Sequence, residues 1–232
     1  MTLTDFPKLH SPFVRKIFKT SEEDWKIYGK KLKMRRPEVY LVVNEINPGY
    51  EWVFYDPYTI AVEKLDGTNV KLFTEAGRLK IVQNRKNVID ILQINKKEAA
   101  RSGIFIEGIL QAATRGYISP DGEQCGELIG PQIQGNPYNI DTHFWYPFDK
   151  AIKHLSYRSF HEHARTFNNW SSWFKDYLVS RFASKRGEKE ILAEGVVFYN
   201  LKRKTEGKTY MAKLRRDMFW WYYKQVEIYG YV

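Results

Sequence analysis

The chain has 232 residues, 43% hydrophobic and 16% aromatic, which is enough apolar material for one folded domain with a substantial core and excludes a disordered segment. Its formal net charge of +10 favours a polyanionic partner, most simply nucleic acid, although charge alone does not separate nucleic acid from an anionic membrane or from plain solubility. The single cysteine, Cys125, excludes an internal disulfide and a cysteine-rich zinc site, and no uninterrupted apolar run near the N-terminus marks a signal peptide or membrane span, so a cytoplasmic protein without a membrane partner is expected.

Ser21 followed by Glu22, Glu23 and Asp24 predicts a capped, charged helix over 21–33, and residues 39–43 read as a buried strand. From Thr59 the pattern becomes strand, turn, strand, with runs at 59–63, 69–73 and 79–83 and a hairpin turn at 75–78. Lys64 therefore falls where one strand gives way to the next, at a sheet edge. Residues 87–113 are helix-like, with a competing short strand at 104–106, and the proline, glycine and asparagine of 131–139 mark an ordered loop. Trp170, Trp173, Phe174, Tyr177 and Leu178 recur at helical spacing and predict an amphipathic helix over 169–182 facing the core. Runs at 194–199 and 210–214 form a hairpin around a long basic tip, 200–208. The sum is an α+β pattern with largely antiparallel sheets.

A lysine in such a turn suggests a nucleophile, provided its charge can be suppressed. Its ordinary pKa is about 10.4, and one cation about 4 Å away at an effective dielectric of about 20 contributes about 4 kcal/mol toward the neutral amine, roughly what is needed to bring it near 7. The C-terminal hairpin offers such cations: alternation puts Lys213 and Arg215 on one face and Ala212 and Leu214 on the other, with Glu194, Val196 and Phe198 sharing a face across the hairpin. A lysine, a carboxylate and two cations suit attack at phosphorus, while a solvated strand edge would carry similar residues.

The segment Lys64-Leu-Asp-Gly-Thr-Asn69 resembles the nucleotide-binding motif of the covalent nucleotidyltransferases, the superfamily of ATP-dependent polynucleotide ligases and capping guanylyltransferases. The series continues in that superfamily's order with Arg85, Gly126-Glu127-Leu-Ile-Gly130, Phe148-Asp149, Glu194-Gly195 and Lys213-Leu-Arg215. Asn69, where DNA ligases and capping enzymes usually place arginine, and the loop after Glu127 look like the RNA ligase 2 type of phage T4, which favours RNA. Glu107-Gly108 is a rival for the third motif, but Glu127 has the family-like loop and the right spacing to Phe148.

The resemblance implies a nucleotidyltransferase (ATP-grasp-like) fold of antiparallel sheets flanked by helices, and an ATP-dependent RNA ligase of the RNA-repair kind. Lys64 would attack the α-phosphate of ATP to form lysyl-AMP. Asn69 and Arg85 would hold the nucleotide or the RNA 5′-phosphate, Glu127 the ribose, and Phe148 would stack on adenine, with Glu63 and Leu65 beside the lysine also contacting the nucleotide. Glu194 would bind Mg²⁺ (or Mn²⁺), and Lys213 and Arg215 would contact the α-phosphate. Asp66 either shapes the turn with Gly67 or works on metal or phosphate. The partner implied is RNA with 5′-phosphate and 3′-hydroxyl ends. A DNA ligase, a capping guanylyltransferase and a non-catalytic nucleic-acid-binding relative are the alternatives.

The family's last motif normally carries two lysines, so Arg215 is a departure, exchanging a compact ammonium for a planar fork. The expected organisation is a single adenylyltransferase domain over 1–232 with no C-terminal OB-fold or helical domain, which implies weak RNA grip or help from an accessory subunit. ATP is favoured over NAD. His161 and His163 are spaced against sharing a metal on a helix. Residues 219–223 read as closing the core, with base stacking as the rival, and the basic stretches 185–189 and 202–208 as solvated charge or RNA contacts.

Overall fold

The computed structural model describes residues 3–91, 96–162, 164–205 and 210–231; His163 and, in the basic tip, residues 206–209 lie outside the described residues. In chain order the strands are β1 (Phe13–Thr20), β2 (Glu38–Ile46), β3 (Thr59–Lys64), β4 (Thr68–Glu75), β5 (Arg78–Asn84), β6 (Asn87–Val88), β7 (Gly122–Ile129), β8 (Phe144–Pro147), β9 (Gly195–Asn200), β10 (Met211–Arg215) and β11 (Ile228–Tyr231). The helices are α1 (Glu22–Tyr28), α2 (Trp52–Tyr55), α3 (Lys96–Thr114), α4 (Phe148–His154), α5 (Phe167–Ser172), α6 (Arg181–Ser184) and α7 (Leu201–Thr205). Among the described residues the strands pair antiparallel in three sheets, ordered β11-β1-β2, β10-β9-β3 and β6-β5-β4-β7-β8, the α+β architecture the sequence pattern predicts.

The chain divides into two compact units. One comprises Met1–Lys8, Leu65–Ser156 and Arg181–Ile191; the other comprises Leu9–Lys64, Tyr157–Ser180 and Leu192–Val232. The chain passes from the second to the first directly after Lys64.

In the β4–β8 unit, β4 and β5 join through Ala76 and Gly77, whose φ values of 49° and 71° give the left-handed two-residue turn that suits a twisted hairpin. Val70 and Leu72 point from β4 into the core, where the Trp145 indole N–H donates to the Val70 carbonyl at 3.1 Å. Helix α3 packs on β8 through Phe105, Ile109 and Ala112. A Cβ on Gly108 would stand 2.3 Å from Leu128 Cδ1, so the glycine permits this approach, and residues 104–106 are helical.

The other unit is built on aromatic packing. Trp170 stacks on Phe54 and on Phe198, at centroid separations of 5.0 and 5.1 Å, an arrangement worth about 0.5–1.5 kcal/mol per pair beyond simple burial. Phe219 and Trp221 close this region, as expected, and Tyr223 is buried in a second cluster with Leu32, Val39, Leu41 and Val226, while Trp220 is 63% exposed.

Four local expectations are corrected. Helix α1 is capped by Ser21, whose Oγ accepts from the Asp24 N–H at 3.0 Å, but it ends at Tyr28, with Gly29 at its C-cap, and Lys33 beyond it takes φ 56°. In β2, Tyr40 is exposed, so 39–43 is not buried throughout. The helix over 169–182 is broken: α5 gives way to a π-helical turn, Trp173–Tyr177, whose wider winding keeps Trp170, Phe174 and Leu178 buried while Tyr177 is 71% exposed. The basic tip begins as helix α7 and not as extended chain.

Candidate active site

Lys64 ends the edge strand β3. Register places Lys64 opposite Gly195, and Gly195 opposite Arg215, so these residues form one row across the three strands. The middle of the row must be glycine: a Cβ there would lie 2.2 Å from the Leu214 carbonyl oxygen. The next row on the same face is Val62, Val197 and Lys213. Lys64 Nζ donates to Glu194 Oε2 at 2.5 Å, and Arg215 Nη1 lies 3.5 Å from Glu194 Oε1. Strict alternation would turn Glu194 to the core with Val196 and Phe198; it reaches the cations because it precedes β9 and is free of the ladder's alternation.

Lys213 is held below its ordinary lysine range, first by burial and then by the charges of Arg215 and Lys64, with Glu194 acting in the opposite sense. Arg215 is gripped from below by Asp217, whose Oδ2 lies 2.8 Å from Nη2, and burial pushes the Asp217 carboxyl up against the pull of that arginine. Arg215 Nε is buried with no hydrogen-bond partner, a donor that fits a phosphate oxygen. Arg15 on β1 adds a third positive charge felt by Lys213, and it is fixed by donating to the Tyr40 carbonyl at 3.1 Å. Asp217 and Arg15 were not singled out by the sequence. An acid two places after Arg215 is a local signal for the first, whereas nothing near Arg15 marks it.

Glu63 faces the opposite side of β3, buried, accepting from the Ser180 hydroxyl at 2.6 Å. Its carboxylate therefore belongs to the core side of the sheet and not to the row of Lys64.

The remaining expected residues belong to the β4–β8 unit. Leu65 is buried, and the Asp66 N–H donates to the Tyr138 hydroxyl at 2.8 Å. Gly67 passes so close to β7 that a Cβ would sit 2.3 Å from the Leu128 carbonyl oxygen. Asn69 and Glu127 stand opposite each other on β4 and β7, and Lys71 and Cys125 occupy the next row on that face. Asn69 Oδ1 is buried without a hydrogen-bond partner, an acceptor suited to a ligand N–H or O–H. Burial pushes the Cys125 thiol up, away from reactivity. Arg85, with φ 54°, lies exposed in the turn between β5 and β6. Phe148 opens α4, and its ring meets that of Phe6 at 5.1 Å; nearby, the Gln83 side chain exchanges two hydrogen bonds with the Leu3 backbone. Glu107 is on α3, paired with His143, whose Nε2 faces the Pro131 carbonyl at 2.5 Å.

Among the described residues no group of three or more His, Cys, Asp or Glu side chains could hold a metal. Glu194 would supply a carboxylate beside Lys64, which fits a cation such as Mg²⁺ that keeps several waters and takes phosphate oxygens as further ligands. None of the described helices is long and apolar enough to cross a membrane.

A strand-end lysine, a carboxylate in contact with it and half-buried cations on the neighbouring strand make a compact charged cluster at the end of β3. The family described as RNA ligase matches residues 57–215, and the chain belongs to the RNA ligase family. No curated protein matches it. Solved structures of a Naegleria gruberi RNA ligase are similar. The form with PPi has 17% identity over 72% of this chain and 52% of that one, with a TM-score of 0.44. A variant with AMP and Mn has 18% identity over 68% and 49%, with a TM-score of 0.41. An apo variant has 15% identity over 92% and 58%, with a TM-score of 0.42. The present chain thus spans about half the length of the first of these.

Proposed function

We propose that this protein is an ATP-dependent RNA ligase that joins RNA 5′-phosphate and 3′-hydroxyl ends through lysyl-AMP, with residues 1–232 acting as one adenylyltransferase domain. The observation that carries the reading is the Lys64–Glu194–Arg215 array, with Lys213 one row away, inside a segment that matches the RNA ligase family.

Lys64 Nζ, once it has lost its proton to water, attacks the α-phosphorus of ATP. The N–P bond forms, the bond to the oxygen bridging the β-phosphate breaks, and pyrophosphate leaves. Glu194 aims the amine through its hydrogen bond, and Lys213 and Arg215 stabilise the charge that develops on the α-phosphate oxygens. Mg²⁺, held through Glu194, would supply further charge neutralisation. Asn69, Glu127, Arg85 and Phe148 serve the nucleoside and the RNA end, with Glu63 and Leu65 contributing through the backbone beside the lysine. An RNA 5′-phosphate oxygen then attacks the same phosphorus, breaking the N–P bond and releasing Lys64. The 3′-hydroxyl finally attacks the 5′-phosphorus and expels AMP.

Incubation with α-labelled ATP and Mg²⁺, followed by denaturing electrophoresis, tests the first step; the expected result is an acid-labile label on the protein. Label from GTP alone would make it a guanylyltransferase, and no label from either would overturn covalent catalysis. Nicks with RNA or DNA on each side test the rest: sealing that requires RNA at the nick is expected, and sealing of all-DNA nicks alone would replace RNA ligase with DNA ligase. A protein that labels but seals only with an added subunit would place part of the RNA grip in a partner.

A further inference from the structure

On the unit that carries Lys64, a groove of about 600 Å³ opens between the α2 end and α7, away from the residues assigned above. Two aromatic side chains stand out of it, Tyr55 at 74% and Tyr58 at 52% exposure. Two cations lie against aromatic rings along it: Lys202 Nζ is 5.4 Å from the Tyr58 ring centre, and the Arg203 guanidinium is 4.3 Å from that of Tyr210. Such spacing costs little to maintain, because each cation is already oriented by a ring face.

The backbone beneath is fixed. The Arg165 guanidinium donates to the carbonyls of Val53, Phe54 and Asp56, the Thr59 hydroxyl donates to the Trp52 carbonyl, and the Leu201 N–H donates to the Tyr58 carbonyl at 3.1 Å. The groove also contains Glu51 and Asp56, yet each accepts from a backbone N–H, of Gly49 and Tyr58 respectively, so both are committed to holding the turn. Exposed rings beside oriented cations on a rigid base form the combination that single-stranded nucleic acid recognises: bases stack on the rings and phosphates meet the charges.

We propose that this groove is a binding subsite for single-stranded RNA, in which bases stack on Tyr55 and Tyr58 while Lys202 and Arg203 meet adjoining phosphates. It rests on the reading of RNA as the substrate, and it assigns a role to the basic stretch after β9 that the active-site array leaves unused.

The test measures fluorescence anisotropy of a labelled single-stranded oligoribonucleotide with the full chain, beside covalent labelling by ATP. Replacing Tyr55→Ala and Tyr58→Ala together should weaken RNA binding by at least about thirtyfold, the loss expected for two stacked bases, and leave labelling unchanged. The pair Tyr55→Phe and Tyr58→Phe should bind as the parent does. Lys202→Ala with Arg203→Ala should reduce the slope of log affinity against log salt by about 1.4, for two phosphates at about 0.7 each. RNA affinity unchanged in both sets overturns the subsite, as would be the case for a groove that serves a protein partner. Equal loss of labelling and RNA binding also overturns it, since the rings would then only support the fold. A parent that binds RNA in a tyrosine-dependent way but never labels with ATP would refute the ligase reading and keep the subsite; one that labels but does not bind single-stranded RNA would do the reverse.

Discussion

Around Lys64, two further basic side chains, Lys213 and Arg215, and Glu194 crowd one face of β3, β9 and β10, whereas on the face of β4 and β7 the opposed pair is Asn69 and Glu127, with Lys71 the cation of the next row. The first region gathers like charges in a partly buried place, and the Lys213 pKa is depressed first by burial and then by the neighbouring Arg215 and Lys64. The second works by hydrogen bonding and shape, with a buried acceptor on Asn69 and close backbone passage at Gly67. Under the proposed function, changes in the first should alter the chemical step, and changes in the second should alter how tightly the nucleotide is held.

The largest effect expected is from Lys64→Ala. Covalent labelling should fall to background while circular dichroism stays that of the parent, because Lys64 is the last residue of an edge strand and its side chain is not part of the core. Labelling that persists in this variant would remove the lysine from the mechanism and collapse the distinction between the two regions.

Arg215→Lys comes next. It restores the lysine usual at this position in the family that the motif resembles, yet a single ammonium cannot span Asp217 at 2.8 Å and Glu194 at 3.5 Å as the fork does. A fall of about tenfold in the labelling rate, about 1.4 kcal/mol in the barrier, is expected with little change in the ATP concentration needed for half-saturation. An unchanged rate would mean that Asp217 has no part in positioning the cation.

Glu127→Gln should act on the other side of the comparison. Losing the charge of the acceptor proposed to hold the ribose should weaken ATP by about 2 kcal/mol at most, so KM should rise up to about thirtyfold while kcat stays within about twofold. A pure kcat effect in single-turnover labelling would place Glu127 with the charge cluster instead.

What was legible in the sequence follows the same division. The strands around Lys64, the 75–78 turn and the hairpin carrying Lys213 and Arg215 are all local patterns, and the motif order identified the residues that register then aligned. The π turn after α5 was not legible, because a stripe of aromatic residues at spacings of three and four has the same appearance whether or not the winding widens. Nor was the orientation of Glu194, since alternation holds only inside a ladder and the ladder's first residue is Gly195. Arg15 joins the cluster from β1 with nothing in the sequence to mark it, and Asp217 joins through a 3-10 turn after β10, marked only by its place two residues beyond Arg215. Glu63, next to the lysine in sequence, is separated from it by the same alternation that brings Lys213 and Arg215 together.

The smallest effect expected is on stability, and it has the opposite sign to the effect on activity. Burial and the neighbouring Arg215 and Lys64 hold Lys213 below its ordinary range, so between its folded and unfolded pKa values the unfolded chain binds more protons than the folded one. Stability must then rise with pH across that interval, up to the ordinary lysine value of about 10.4, and below the interval the charged amine is a constant cost to the fold. Lys213→Met keeps the apolar stem and removes the charge. The variant should melt about 1 °C above the parent at pH 7, a small gain because the amine is only partly buried and water screens it. The gap should close as the pH is raised toward 10, where the parent loses its own proton, while labelling is impaired throughout. A variant that melts below the parent at pH 7 would show that the Glu194 attraction outweighs burial and repulsion, and that the cations around Lys64 are settled partners and not charges held together at a cost.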